Sequence, residues 1–138
     1  MALRIAIVDG GPLFAAADMD AVDHAAALAA LCHPQLHLVI PALVVAEVTQ
    51  LIGSRLGPAA EAWFLSGLAA MDVEAPASTD WPRIAELVER HSALPLGGTG
   101  ASVVALAERL GTATVITLDR RQFRTIRPRH CDSLIFLP

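Results

Sequence analysis

Three acidic residues stand where carboxylates do chemistry. Asp9 directly follows the apolar, β-rich run Arg4-Ile5-Ala6-Ile7-Val8, and Asp119 directly follows Thr114-Val115-Ile116-Thr117-Leu118. In an open parallel α/β sheet the reactive crevice lies outside the carboxyl ends of the strands, so both acids fall at that edge. Glu47 is the third candidate, inside Ala42-Leu43-Val44-Val45-Ala46-Glu47-Val48, where its neighbours read as buried. A carboxylate in such company is costly unless it is paired or binds a metal. Three carboxylates in one crevice repel one another, and a divalent cation is the usual remedy. Hard oxygen ligands suit Mg²⁺ or Mn²⁺, an ion that activates water and stabilises a phosphate transition state. Singly, each residue has a plainer role. A strand-end Asp caps the next helix, and a helical Glu faces solvent. The conjunction of positions is what points to a site.

The elements that must position these acids alternate between strand and helix. Residues 4–8 read as a strand covered on both faces, and Asp9-Gly10-Gly11-Pro12 reads as a turn. Residues 13–18 and 21–31 are Ala/Leu-rich helices, the second capped by Asp18 or Asp20. A short strand at 37–40 leads to Pro41, which suits the first turn of a helix running to about Arg55. Gly57-Pro58 ends it. A helix over 59–70 precedes a short strand at 72–74, and Thr79 or Asp80 opens a helix to about His91. Residues 94–98 read as loop. Thr99 is a candidate N-cap for a helix over 100–110 closed by Gly111, followed by strands at 114–118 and 134–137. Such alternation predicts a parallel sheet with helices on both faces.

Composition narrows the class. The chain has 138 residues, 54% hydrophobic and 17% charged. One domain of that size buries a core without disulfides or metals, and the composition excludes intrinsic disorder. No apolar run is long enough for a transmembrane helix. The N-terminus lacks the features of a signal peptide, which predicts a cytoplasmic protein. The net charge of −4 does not suit a nucleic-acid binder on average, but the distribution is uneven. Five of the ten Lys/Arg residues, Arg120, Arg121, Arg124, Arg127 and Arg129, lie within ten positions. They read either as a phosphate-contacting patch or as a solvated turn. Cys32-His33 and His130-Cys131 are adjacent pairs, a poor spacing for zinc, so buried free thiols are expected.

These residues also carry a resemblance. The opening Ile7-Val8-Asp9-Gly10-Gly11-Pro12-Leu13, the helix Pro41 to Val48, the segment Gly100-Ala101-Ser102-Val103-Val104-Ala105 and the stretch Val115 to Phe123 occur in order and at the right spacing. Together they resemble a PIN domain, and within it the VapC-type ribonuclease toxins of bacterial toxin–antitoxin pairs. The resemblance spans nearly the whole chain. It implies a single PIN-like α/β/α sandwich with a central parallel sheet. It implies endonucleolytic RNA cleavage dependent on Mg²⁺ or Mn²⁺, with tRNA or ribosomal RNA as the substrate. It also implies a homodimer and a small cognate antitoxin (VapB-type) that blocks the site. The family's acids fall on Asp9, Glu47 and Asp119, and Thr117 matches a polar position that supports the metal's water shell. Arg120, Arg121 and Arg124, next to a proposed metal ligand, are placed to meet the RNA backbone. Trp63 and Phe64 are candidate anchors of a dimer interface.

The sequence departs from the family at one position. Where the family places an Asp at the start of the helix near residue 100, this chain has Gly100. A Gly there weakens the helix, whereas an acid would suit its dipole and add a fourth ligand. The resemblance therefore implies an inactivating substitution, engineered or selected against toxicity, or a naturally degenerate site. A competing reading is a non-catalytic protein that binds RNA or sequesters an antitoxin. A receiver or haloacid-type phosphatase is disfavoured, since Gly11 stands where the second acid would be and the chain has no Lys.

Overall fold

A computed structural model describes residues 2–138. Its frame is a five-stranded sheet in the order β3-β2-β1-β4-β5, every neighbouring pair parallel. The strands are β1 (Arg4–Val8), β2 (Leu36–Pro41), β3 (Asp72–Glu74), β4 (Thr114–Ile116) and β5 (Ile135–Leu137). Helices flank the sheet: α1 (Gly10–Ala17), α2 (His24–Leu31), α3 (Ala42–Leu56), α4 (Pro58–Gly67), α5 (Trp81–Arg90), α6 (Gly97–Leu110) and α7 (Arg120–Arg124). A 3₁₀ turn, Leu68–Ala70, leads from α4 into β3.

The strand order turns around at β1. The chain steps outward from β1 through β2 to β3, then crosses back to add β4 on the other side of β1. Right-handed crossovers send successive helices to one face before this reversal and to the opposite face after it. A gap therefore opens between the carboxyl ends of β1 and β4, the place where α/β sheets bind ligands. Residues Ala6, Ile7 and Val8 of β1 and Val115 and Ile116 of β4 have no exposed surface. That explains their continuous apolar run, because both faces of these strands are covered.

The helix α6 crosses the centre of the molecule. Every residue from Gly100 to Ala107 is buried, and the stretch is Gly, Ala, Ser, Val and one Leu, small enough for the sheet, α3 and α5 to approach closely. One polar cluster ties this layer down. Arg83 of α5 is 7% exposed and makes a two-pronged contact with Glu108 of α6, Nε to Oε1 at 2.9 Å and Nη2 to Oε2 at 2.8 Å. Its Nη1 donates to Glu86 at 2.9 Å.

Several local expectations are corrected. The cap of α2 is Asp23, without a side-chain cap bond. Asp18 Oδ1 instead accepts from the Asp20 N–H. Pro41 is the last residue of β2 and the residue before α3, not part of its first turn. The helix α6 begins at Gly97, inside the stretch read as loop, so Thr99 is within it rather than capping it. Gly97 has φ +62°, a conformation that glycine adopts without steric cost. The fourth strand stops at Ile116, two residues early, because residues 117–119 turn to form the site. The helix α7 was not expected. Cys32 is exposed rather than buried, and Cys131 is only partly covered.

Candidate active site

The sheet's reversal brings the acids together. Asp9, Glu47, Asp119 and Gly100 all line one crevice of about 590 Å³. Asp9 leaves the end of β1, and its N–H donates to the Ile116 carbonyl of β4 at 2.9 Å. Asp119 leaves the end of β4. Glu47 comes from α3, which packs against α1. Gly100 comes from the first turn of α6.

Asp9 is the N-cap residue of α1, yet its carboxylate makes no capping hydrogen bond. The third helical position is Pro12, which has no N–H to offer. Oδ2 of Asp9 instead accepts a hydrogen bond from the Thr117 hydroxyl at 2.8 Å. The same hydroxyl accepts from the Asp119 N–H at 3.0 Å. Thr117 is 1% exposed and its hydroxyl is committed on both sides. It therefore ties the Asp9 carboxylate to the Asp119 backbone.

The remaining acids differ in setting. Asp119 is exposed, and its Oδ1 accepts from the Gln122 N–H at 3.3 Å as the cap of α7. The capping role of a strand-end Asp is thus real for Asp119 and absent for Asp9. Glu47 is exposed to the crevice, contrary to the expectation from its apolar neighbours. Those neighbours, Val44 and Val48, point into the core on the other face of α3.

Burial pushes the Asp9 carboxyl above its ordinary range, and the charges of Glu47 and Asp119 add to the shift. The Gly10 N–H and the Thr117 hydroxyl oppose it. The cost of ionising Asp9 in the folded protein has a measurable consequence. A raised carboxyl binds more protons folded than unfolded, so stability falls as pH rises from about 4 through the folded value. Asp9→Asn removes that penalty. In EDTA the variant melts higher than the parent chain at pH 7, and its advantage shrinks toward pH 4. Equal melting temperatures across that range contradict the electrostatic account.

Gly100 is crowded. A Cβ built there would lie 2.7 Å from Leu96 Cδ1 and 3.1 Å from Gln122 Nε2. Leu96 is buried, and the Gln122 amide donates to the Pro95 carbonyl at 2.9 Å. The space beside an acid at this position is therefore occupied by a leucine and an amide.

A divalent ion suits the donor set. Asp9, Glu47 and Asp119 offer only carboxylate oxygens, and among the described residues none of the three forms an ion pair with a cationic side chain. Among the described residues, however, no three His, Cys, Asp or Glu side chains already stand close enough to share one ion. The cysteine–histidine pairs form no such group either. His130 Nε2 lies 2.6 Å from the Thr112 carbonyl oxygen, and Cys131 donates to the Ser133 carbonyl.

The arginines after Asp119 do not act as one patch. Arg120, Arg121 and Arg124 are exposed on α7. Arg129 instead pairs with Glu86 at 3.0 Å, and its N–H donates to Glu108 at 2.8 Å. The Arg127 carbonyl accepts from Arg83 at 3.4 Å. Trp63 is 67% exposed whereas Phe64 is buried in the core, so only the tryptophan is free to anchor a partner. The sequence reading also missed Phe14, Arg55, Leu96, Thr99 and Gln122, all of which line the crevice. Arg55 alone carried a signal, since it lies two helical turns from Glu47 on one face of α3.

The PIN domain family model matches residues 6–127. Ribonuclease VapC26 of Mycobacterium tuberculosis is 34% identical over 132 residues, spanning 88% of this chain and 92% of that protein. Among solved structures, M. tuberculosis VapC20, described as a sarcin–ricin loop cleaving toxin, superposes with a TM-score of 0.74 at 18% identity, covering 81% of this chain and 87% of its own. VapBC2 from Rickettsia felis, bound to a DNA fragment from their promoter, gives a TM-score of 0.71 at 15% identity, covering 96% and 97%. At such identities these two structures show likeness of fold. No helix among the described residues is long and apolar enough to cross a membrane. With the family model covering most of its length and a VapC relative matching nearly end to end, the chain belongs to the PIN domain family, in its VapC-type branch.

Proposed function

We propose that this protein is a metal-dependent endoribonuclease toxin, blocked by a cognate VapB-type antitoxin and weakened in this form by Gly100. What supports the reading is one observation: three carboxylates and Gly100 line a single crevice at the reversal of a parallel sheet. Asp9, Glu47 and Asp119 would hold Mg²⁺ or Mn²⁺. When bound, such an ion supplies an activated water and offsets charge on the phosphate. Thr117 fixes the Asp9 carboxylate and the Asp119 backbone in one orientation. Leu96 and Gln122 fill the space where a fourth acid would act. The substrate is RNA, with tRNA or ribosomal RNA favoured by the family resemblance, and the protein works in the cytoplasm. It acts as a homodimer, whose mass light scattering reads at micromolar concentration.

The test of the activity is to express the Gly100→Asp chain and sequence new cellular RNA ends. Site-specific ends that vanish with Asp9→Ala support the reading, and their absence overturns it. In the non-catalytic alternative, RNA or antitoxin binding persists while no ends appear.

The exposed arginines of α7 contribute to RNA affinity in this reading. Arginine meets phosphate through two parallel hydrogen bonds. Replacing Arg120, Arg121 and Arg124 by Ala weakens RNA binding. It also lowers the slope of log affinity against log salt by about 0.7 for each lost contact to a single strand. An unchanged slope assigns these residues to a solvated face.

A further inference from the structure

The crevice holds a positive charge that the segment after Asp119 does not supply. Glu47, Leu51 and Arg55 are spaced four residues apart on α3, so they share one helical face, and all three line the crevice. Among the described residues, Arg55 is the one cationic side chain lining it, beside the carboxylates of Asp9, Glu47 and Asp119. None of these acids pairs with it. Its guanidinium lies over the ring of Phe14 on α1, with Cζ 5.6 Å from the ring centroid. Stacking on an aromatic face fixes the guanidinium plane and uses none of its N–H donors. Arg55 is exposed and Phe14 half-buried, so a firm platform carries an accessible fork.

An arginine in that state is arranged for a planar or tetrahedral oxyanion. The charges around it select which one. Three nearby carboxylates disfavour another isolated carboxylate, whereas a polyanion that follows the crevice meets both the acids' counter-ion and the guanidinium. The separation along α3 is eight residues, about 12 Å at 1.5 Å per residue. Held over Phe14, and displaced along α3 from Glu47 in the same crevice, Arg55 is placed for a phosphate flanking the one at the acids. We propose that Arg55, stacked on Phe14, forms a phosphate subsite that takes an RNA backbone phosphate flanking the scissile one. This rests on the ribonuclease reading above.

The test measures binding, separately from cleavage. A short labelled single-stranded RNA of mixed sequence is titrated in Mg²⁺ against the full chain, Arg55→Ala and Arg55→Lys, at several salt concentrations. Arg55→Ala weakens binding about tenfold and lowers the salt slope by about 0.7, the value for one lost single-strand phosphate contact. Arg55→Lys keeps the slope, because the charge remains, and recovers only part of the affinity, because the fork and the stack are lost. If the parent chain binds RNA and Arg55→Ala matches it in affinity and slope, the subsite is wrong and the ribonuclease reading stands. If the parent chain does not bind RNA and its Gly100→Asp form cuts none, both fail. An unchanged RNA titration beside weakened binding of a polyglutamate peptide assigns Arg55 to a protein carboxylate and overturns the phosphate subsite.

Discussion

Replacing Gly100 by Asp raises Mg²⁺- or Mn²⁺-dependent RNA cleavage by at least about two orders of magnitude. Hydrolysis of a phosphodiester depends on holding the attacking water in line with the leaving oxygen, and small misplacements cost about 10²-fold. Three carboxylates attract a divalent ion, but a position left to water holds it loosely. An acid in the first turn of α6 also meets the positive end of that helix. The fold must adjust locally to the new side chain. Leu96 Cδ1 must give way, because a Cβ would lie 2.7 Å from it. Overpacking of this kind costs about 1–3 kcal/mol. The metal-free variant is therefore less stable than its parent, and the ion restores part of the loss. The measurement is a side-by-side cleavage assay with Asp9→Ala as the inactive control. A companion, Gly100→Asp with Leu96→Val, relieves the crowding. Rates equal to the parent for both variants contradict the assigned position and the account of impairment. Expression of the active form is expected to be toxic to cells lacking the antitoxin.

The largest expected loss of stability lies at Arg83. Removing one partner of a buried ion pair costs about 3–5 kcal/mol, because the other charge is left uncompensated. Arg83→Ala strands Glu108, whose side chain is 10% exposed. Burial alone would raise the Glu108 carboxyl, but the Arg83 hydrogen bonds, the Arg129 N–H and both arginine charges outweigh it and hold it below its ordinary value. A depressed carboxyl contributes stability that is present above about pH 4.5 and is lost as pH falls through the folded value. The penalty of Arg83→Ala is thus full at pH 7 and shrinks in acid, where Glu108 is protonated. Denaturant unfolding at both pH values measures it. Replacing Arg83 and Glu108 together by Leu costs far less than Arg83→Ala, since no buried charge remains. A double variant as unstable as the single one shows that packing, not charge, governs this cluster.

Different parts of this molecule are written in the sequence with different clarity. The strands β1 and β4 are legible because both faces are buried, so the apolar run is unbroken until the chain turns. That turn carries the acid in each case, which makes the place of Asp9 and Asp119 readable. Glu47 lines the crevice, but not for the reason its apolar neighbours suggest. Its apolar neighbours lie on the core face of α3, while Glu47 itself looks into the crevice. The arginine tail misleads, because Arg129 finds Glu86 at a separation of 43 residues, a pairing no local pattern encodes. The helix α7 is too short to show periodicity. What fills the space at Gly100 is equally hidden. It depends on where Leu96 and Gln122 side chains settle, and these come from different elements.

The reversal of the sheet at β1 also sets an order of events during synthesis. Residues 4–8 leave the ribosome well before residues 114–116, yet one side of that strand waits for Val115 and Ile116 before it is paired. Until then Asp9 has no Thr117 to hold it, and Asp119 has no strand end to stand on. A nascent chain can fold β2 and β3 beside β1 and still carry a half-built crevice. The crevice is incomplete until residues 114–119 have joined the sheet.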